Sequence, residues 1–586
     1  VKPGGRAAGV AVGLVAILLA VGLAIDSRGA ATWRLELGDS DNFMRLVQVR
    51  DWLGGQSWWD VHQYRADPPG GVAMHWSRLA DLPLAATLLV AQQFAAPALA
   101  ERIALCVQPL LLLLVALALI ARCAAALGGR PAGVAALLLA AVTPYTLVQF
   151  VPGRVDHHGL QIVLVLAAAT ALAMGTRARN GAAAALAAAL SLNIGLETAP
   201  LLGAAAALVA LRWVWRGAAV RAVTLGFGGG VALLVPLLFA LTMPRADWGL
   251  THGDAVAGGH VVAALAGGAG LAALAWWSPG RAARAAGIAL LAAALVALVL
   301  LGFPGLLTSP YAVVGPMLQR LWMDQINEMR SVADDWHDAP VRAVARMALL
   351  VPAAVAAILL AVRHDGEARD RYALFAVLGV TATALAAWQV RGMPLATVVA
   401  LPVAGAVVGG LWRRWRAGGS VVPLLGGLML LTTAPGTVLV ALLAPVVASG
   451  PRPVDCGTPA GLQTLARQPA GLVVAPLDLG GAILALTHHG VVGTPIHRDV
   501  HGNRLAYTAM RAGSAAARAM LAADRVGYLA WCPGSEADVL AKDAPGGLIA
   551  GLQHGQVPDW LTPIAAPGDA LRLYRIVPVA APSPGR

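Results

Sequence analysis

Charge is scarce in this 586-residue chain: Asp, Glu, Lys and Arg together make up 12% of it, against roughly 25% in soluble globular proteins. With 58% hydrophobic residues, the shortage excludes a protein that lives in water. Cysteine is nearly absent, with four residues. Cys106 and Cys123 fall in or beside an apolar stretch, where cysteine acts as a small hydrophobe. Cys456 and Cys532 fall in the polar C-terminal region, where a disulfide is permitted if that region faces an oxidising compartment. His488, His489, His497, His501 and His554 share no zinc spacing with any cysteine, which argues against a structural zinc. The net charge of +12 comes from arginines clustered between apolar windows. It sets orientation in a membrane and points to no nucleic-acid partner.

What the chain does have is apolar windows of about 20 residues, repeated over its first three quarters, each long enough to cross a bilayer as a helix. Irregular backbone cannot face lipid, so the polar segments lie outside or line a cavity. The first window, Val10 to Ile25, follows Lys2 and Arg6; it reads as a transmembrane helix rather than a cleaved signal. The window Leu82 to Ala100 is ambiguous, with Gln92 and Gln93 inside it. If it re-enters or lies at the interface, Ile103 to Ala121 is the second span. Arg122, Arg130, Arg177, Arg179, the Arg212–Arg221 cluster, Arg281, Arg363–Arg371 and Arg413–Arg416 then share the cytoplasmic side. The expectation is a polytopic α-helical membrane protein of about thirteen spans, N-terminus in and C-terminus out. Residues 1–448 form the membrane domain, with outer loops at about 26–81 and 304–341, and 449–586 form a mixed α/β extracytoplasmic domain. A bacterial inner membrane with the domain in the periplasm is the expected setting.

This threading gathers acids on one face. Asp39 and Asp41 follow the first exit in LELGDSDNFMR; Asp156 and His158 sit in GRVDHHGLQI, between spans at about 133–151 and 160–175; Glu328 lies in QINEMRSVADDWHD. Each acid alone reads more readily as a helix cap or a solvated end than as a ligand. Together, carboxylates and an imidazole suit a divalent cation such as Mg or Mn, which offsets charge on a departing phosphate. Arg391 in AWQVRGMPLA breaks the inside bias of arginine, as a headgroup anchor or a phosphate clamp. His75, Arg78 and Arg154 are further candidates for an anionic donor, and Glu197 sits near an outer helix end. Trp58 and Trp59 mark an interface.

Asp41, the DHH at Asp156–His158, QINE ending at Glu328 and an outer Arg391 occur in this order, before a C-terminal outer domain. The layout resembles the GT-C class of membrane glycosyltransferases, and most closely the catalytic subunit of oligosaccharyltransferases. The resemblance implies that Asp41 bridges metal and acceptor, that Asp156, His158 and Glu328 join it as metal ligands, and that Arg391 grips the lipid-linked phosphate. Asp39 is the alternative to Asp41 if the first motif aligns two residues earlier. PLDLG, Pro476 to Gly480, stands where that family has WWDYG, so Asp478 is the acceptor-binding candidate. Both tryptophans are missing, which puts protein N-glycosylation in doubt.

The expected activity is metal-assisted transfer of a sugar or oligosaccharide from a polyprenyl phosphate or diphosphate to a glycan, lipid or protein acceptor, with membrane lipids as surroundings. The alternative within the class is a true oligosaccharyltransferase acting on asparagine. A transporter or flippase would place polar groups near the midplane of repeated halves, and no paired halves occur here.

Overall fold

The computed structural model describes residues 18–19, 21–23, 26–250, 253–277, 280–309, 311–431, 456–565 and 569–577. The expected first span falls largely outside them, and the expected boundary at Ser449 falls wholly outside.

Helix α1 (Ser40–Leu53) begins where Asp39 caps it, the carboxylate accepting the Asp41 N–H at 3.0 Å. A short antiparallel ribbon follows, β1 (His62–Gln63) with β2 (Val72–Ala73), and then α2 (Leu82–Ala91). With 10 residues, α2 is about 15 Å long and cannot cross a bilayer. The ambiguous window at 82–100 is therefore no span. The chain turns and enters α3 (Pro97–Gly128), which contains the expected second span in a helix of 32 residues.

The bundle continues with α4 (Arg130–Ala141), α5 (His158–Ala173), α6 (Ala178–Ile194), α7 (Ala199–Arg216), α8 (Arg221–Thr242), α9 (Gly258–Trp277) and α10 (Arg281–Ala297). After a long loop come α11 (Leu350–Arg363), α12 (Gly366–Trp388), α13 (Met393–Arg416) and α14 (Val422–Leu430). Among the described residues, 7 segments are long and apolar enough to cross a membrane; one of them, Leu196–Thr242, consists mainly of α7 and α8 folded back at Gly217. The third expected span starts and ends earlier than 133–151. It stops at Ala141 because Pro144 disfavours helical backbone at Thr143.

Small residues let bundle helices touch. A Cβ on Gly181 would lie 2.0 Å from the Val223 carbonyl oxygen, and one on Gly226 would lie 2.1 Å from that of Ala178. The backbones of α6 and α8 thus meet directly, as is common between membrane helices. The basic clusters gather at one end of the bundle. Arg371 donates to the carbonyls of Ala173 (3.0 Å) and Ala126 (3.2 Å), Arg413 to that of Gly128, and Arg221 to those of Ala275 and Trp276. Each cation sits on a helix C-terminus, where the helix dipole favours it.

The C-terminal region forms a mixed sheet: β3 (Leu472–Val474), β4 (Gly490–Val491), β5 (Tyr528–Trp531), β6 (Leu561–Pro563) and β7 (Arg572–Ile576), in the order β4-β3-β5-β7-β6. β3 runs parallel to β4 and β5, with Val473 opposite Val491 and Tyr528; β7 is antiparallel to β5 and β6. The run LVVAPLDLGGAILAL, which reads from sequence as a short strand, is strand only at β3; most of its remainder forms helix α15 (Leu477–Leu486), followed by α16 (Val500–Arg511).

This region is built into the segment between α1 and α2. Arg65 and Asp67 extend the sheet edge, with Val491 N–H on Arg65 O at 2.8 Å and Asp67 N–H on Val491 O at 2.9 Å. Met44, Leu46, Trp76, Val155, Val473, Ile483 and Leu573 share one buried core. Gly481 of α15 admits Ser40: a Cβ there would stand 2.4 Å from its hydroxyl oxygen. The residue next to Asp41 is thus packed against the C-terminal region.

Cys456 and Cys532 are joined in a disulfide with Cα atoms 6.0 Å apart, 76 residues apart in sequence. Closing a loop of that length stabilises the folded region by roughly 4 kcal/mol in the chain-entropy account. Cys456→Ser should therefore lower the unfolding midpoint of the C-terminal region by several degrees, measured by differential scanning calorimetry with and without reductant. An unchanged midpoint would show that the bridge contributes nothing.

Candidate active site

The start of α1 and the segment before α5 are sewn together by a buried amide. Asn42 Oδ1 accepts the N–H groups of Val155 (3.0 Å) and Asp156 (3.2 Å), which brings two acidic motifs, far apart in sequence, side by side. Asp156 Oδ1 then accepts the N–H of His158 at 3.0 Å, fixing the first turn of α5. Arg154 donates to Gln149 and to Asp39, and its Nε lies 2.9 Å from Asp156 Oδ2.

Burial works against ionising Asp156, but the Arg154 guanidinium and the His158 imidazole overcome it and hold that carboxyl well below the usual carboxylate range. Asp41 is in the opposite position. Burial, then the charges of Asp39 and Asp156, push its pKa up to about 7, with a smaller push from Glu328. Acids from three segments far apart in sequence therefore feel one another at Asp41.

His157 is buried, its Nε2 lies 3.1 Å from Glu197 Oε1, and its ring stacks on His158 with centroids 4.4 Å apart. Glu197 is also held by Gln161, whose amide donates to Oε2 at 2.9 Å. Glu328 is exposed on a turn, Asn327–Met329, of the long loop. That turn is pinned beside Arg391 by the Val390 N–H bonding Arg330 O at 2.9 Å. Arg391 donates to Gln389 (3.0 Å) and to the Tyr311 hydroxyl (3.1 Å).

These side chains line two large cavities. One, about 510 Å³, is bounded by Asp41, His75, His157, His158, Glu197, Asp254, Tyr311, Glu328, Arg391 and His497. It adjoins an apolar cleft of about 200 Å³ among α5, α12 and α13, sharing His158, Glu197 and Arg391 with it. The other cavity, about 500 Å³, lies against the C-terminal region and is bounded by Asp39, Asp41, Glu328, Asp478 and Glu536. Asp41 and Glu328 line both.

Of the sequence candidates, Asp41, His75, His158, Glu328 and Arg391 meet at the first cavity, and Asp39 and Asp478 at the second. Asp156 stands behind His158. Two arginines assigned to the donor phosphate do other work. Arg78 is fully buried and does not line either large cavity; it donates to Gln48 O, Asp81 and Gln56, where it shares Asp81 with Arg45. Arg154 is engaged by Asp39 and Asp156. Asp39 is likewise occupied, as a cap and as the partner of Arg154.

Sequence reading missed Asn42, Tyr311 and Asp254. Asp254 binds Arg498 through two contacts of 2.7 Å and His497 through one of 2.6 Å, holding His497 in the wall of the first cavity. Its only signal was an isolated acid in an outer loop, LTHGDAVAGG.

The residues fit a divalent cation in type. Asp156 Oδ2 faces Arg154 Nε at 2.9 Å and His158 Nδ1 faces Asp156 Oδ1 at 3.3 Å, and carboxylate oxygens with one imidazole suit Mg or Mn in donor type. Among the described residues, no three His, Cys, Asp or Glu side chains stand in a closed coordinating cluster. Arg154 supplies the positive charge among the acids.

No family model and no curated protein matches the chain. Solved structures do resemble it. The oligosaccharyltransferase AglB from Archaeoglobus fulgidus, in complex with an inhibitory peptide and a dolichol-phosphate, superposes with a TM-score of 0.68 at 13% identity, over 98% of this chain and 75% of that one. The oligosaccharyltransferase of the same archaeon, tethered with an acceptor peptide containing the NVT sequon, gives 0.65 at 15% identity, over 92% and 71%. Its complex with Zn and sulfate gives 0.58 at 15% identity, over 92% and 70%. The chain thus shares the fold of these archaeal oligosaccharyltransferases.

Proposed function

We propose that this multi-pass membrane protein is a glycosyltransferase that moves a sugar or oligosaccharide from a polyprenyl phosphate or diphosphate to an acceptor at the outer face of the membrane. The observation that carries the reading is the pair of cavities meeting at Asp41 and Glu328. A two-substrate transfer needs separate seats for donor and acceptor with reactive groups between them.

The first cavity is the donor seat. Arg391, with Tyr311 beside it, meets the phosphate as a charged donor. His75 faces the same space; burial, then the neighbouring His497 and His157, keeps it neutral, so it donates a hydrogen bond without adding charge. The apolar cleft next to Arg391 receives the first isoprene units, and the lipid remains in the bilayer. The acceptor enters through the second cavity.

Its nucleophile attacks the anomeric carbon, the bond from that carbon to the phosphate oxygen breaks, and polyprenyl phosphate or diphosphate leaves on Arg391. Asp41 orients the nucleophile and takes its proton. Asp41, Asp156, His158 and Glu328 would hold Mg or Mn, which supplies neutralisation of charge growing on the phosphate. With the basic helix ends cytoplasmic, as the positive-inside rule requires, the site opens to the periplasm of a bacterial inner membrane.

The test is mass spectrometry of polyprenyl-linked glycans in cells lacking the protein. Donor should accumulate and one glycosylated product should vanish. Wild type should restore both, and Arg391→Ala should not. Unchanged lipid-linked glycans would contradict the reading.

A further inference from the structure

The two cavities differ in charge. The donor side sets Asp41, Glu197, Asp254 and Glu328 against four histidines and Arg391, whereas the described residues lining the second cavity include five carboxyl groups, Asp39, Asp41, Glu328, Asp478 and Glu536, and no Arg, Lys or His. Arg154 answers Asp39, and Asp41 and Glu328 belong to the reacting centre. Asp478 and Glu536 remain without a cation. Among the ion pairs formed by described residues, none includes either acid.

Their setting is built rather than incidental. Glu536 Oε2 accepts the Leu477 N–H at 2.7 Å, anchoring the carboxyl at the start of α15. Tyr507 is fully buried, and its hydroxyl faces Glu536. Burial raises both carboxyls above the ordinary range, with Asp478 adding to the rise at Glu536 and Asp39 to that at Asp478, while a hydrogen bond between the two acids works the other way at Asp478. Carboxyls raised in this way favour holding a proton, and a cationic group would take the place of that proton. Leu477 and Leu479 flank Asp478, so no aromatic wall is available at those positions to grip a neutral side chain.

Building on the glycosyltransferase reading above, we propose that the second cavity takes an acceptor bearing a protonated amine, seated on the Asp478–Glu536 pair while its nucleophile reaches Asp41. The amine belongs either to an amino sugar or to a peptide; the chemistry at the pair is the same.

The test uses the full chain in lipid nanodiscs and measures binding of matched probes by ligand-observed NMR. The probes are methyl glucosaminide against methyl glucoside, and N-acetyl-lysine amide against N-acetyl-norleucine amide. In at least one pair the amine should bind about tenfold more tightly than its neutral partner, as expected for a charge-assisted contact in a partly enclosed site. The pair that shows the preference identifies the source. Asp478→Asn and Glu536→Gln should each reduce that preference to about twofold or less. Both should keep wild-type binding of polyprenyl phosphate on the Arg391 side, which also shows that they fold. No preference in either pair, or a preference that survives both substitutions, overturns the proposal. If polyprenyl phosphate binds and the amine preference is absent, only this inference fails. If polyprenyl phosphate itself does not bind, the glycosyltransferase reading fails.

Discussion

Asp41→Asn should lower sugar transfer by about a thousandfold, the range expected when a group that handles a proton in the transition state is removed. The substitution keeps the shape and the cap: the Asp41 N–H still bonds Asp39, and Asn42 still holds Val155 and Asp156. Stability should therefore change little, or rise, because a carboxylate crowded by Asp39 and Asp156 becomes neutral. The fall should appear in kcat, with the donor KM nearly unchanged, since the proposed phosphate contact is Arg391 rather than Asp41. Steady-state kinetics with a polyprenyl-phosphate sugar separates the two. A variant that keeps a tenth of wild-type kcat would remove Asp41 from the chemistry.

Removing divalent metal should stop transfer, and adding Mn or Mg should restore it. Asp41, Asp156 and Glu328, with Asp39 beside them, concentrate negative charge where a second anion, the donor phosphate, must bind. Arg154 alone offsets only part of it. Transition-state stabilisation of several kcal/mol from a bound cation corresponds to about a thousandfold in rate. Chelation followed by metal titration reads this directly. Full activity in excess chelator would mean that Arg154 and Arg391 suffice.

Asp41 and Asp156 stood out as acids expected just beyond membrane exits and Glu328 as one in a long loop, and arginine counts give the expectation that these segments share a side. Their convergence was not legible. It depends on Asn42, a neutral residue inside a helical pattern whose amide spans two segments more than a hundred residues apart. Arg78 misled for a related reason. An arginine near His75 in an outer loop reads as an anion binder, yet its nearest acid, Asp81, lies three residues on and is buried with it. Burial of an ion pair leaves no periodic trace in sequence. The run LDLGGAILAL could not be assigned by periodicity, since buried strands and buried helices are both continuously apolar; its close fit to Ser40 through Gly481 belongs to tertiary packing. Arg391 was found as an exception to a charge rule, while its partner Tyr311 lies 80 residues earlier in a loop with no pattern.

The central claim is that side chains from three outer segments surround one divalent ion between the two cavities. Anomalous scattering from crystals of the full-length protein soaked in Mn tests it most directly. The account predicts a single strong peak bounded by Asp41, Asp156, His158 and Glu328, lost in Asp156→Ala. A peak elsewhere, or none while transfer proceeds in those crystals, would contradict it.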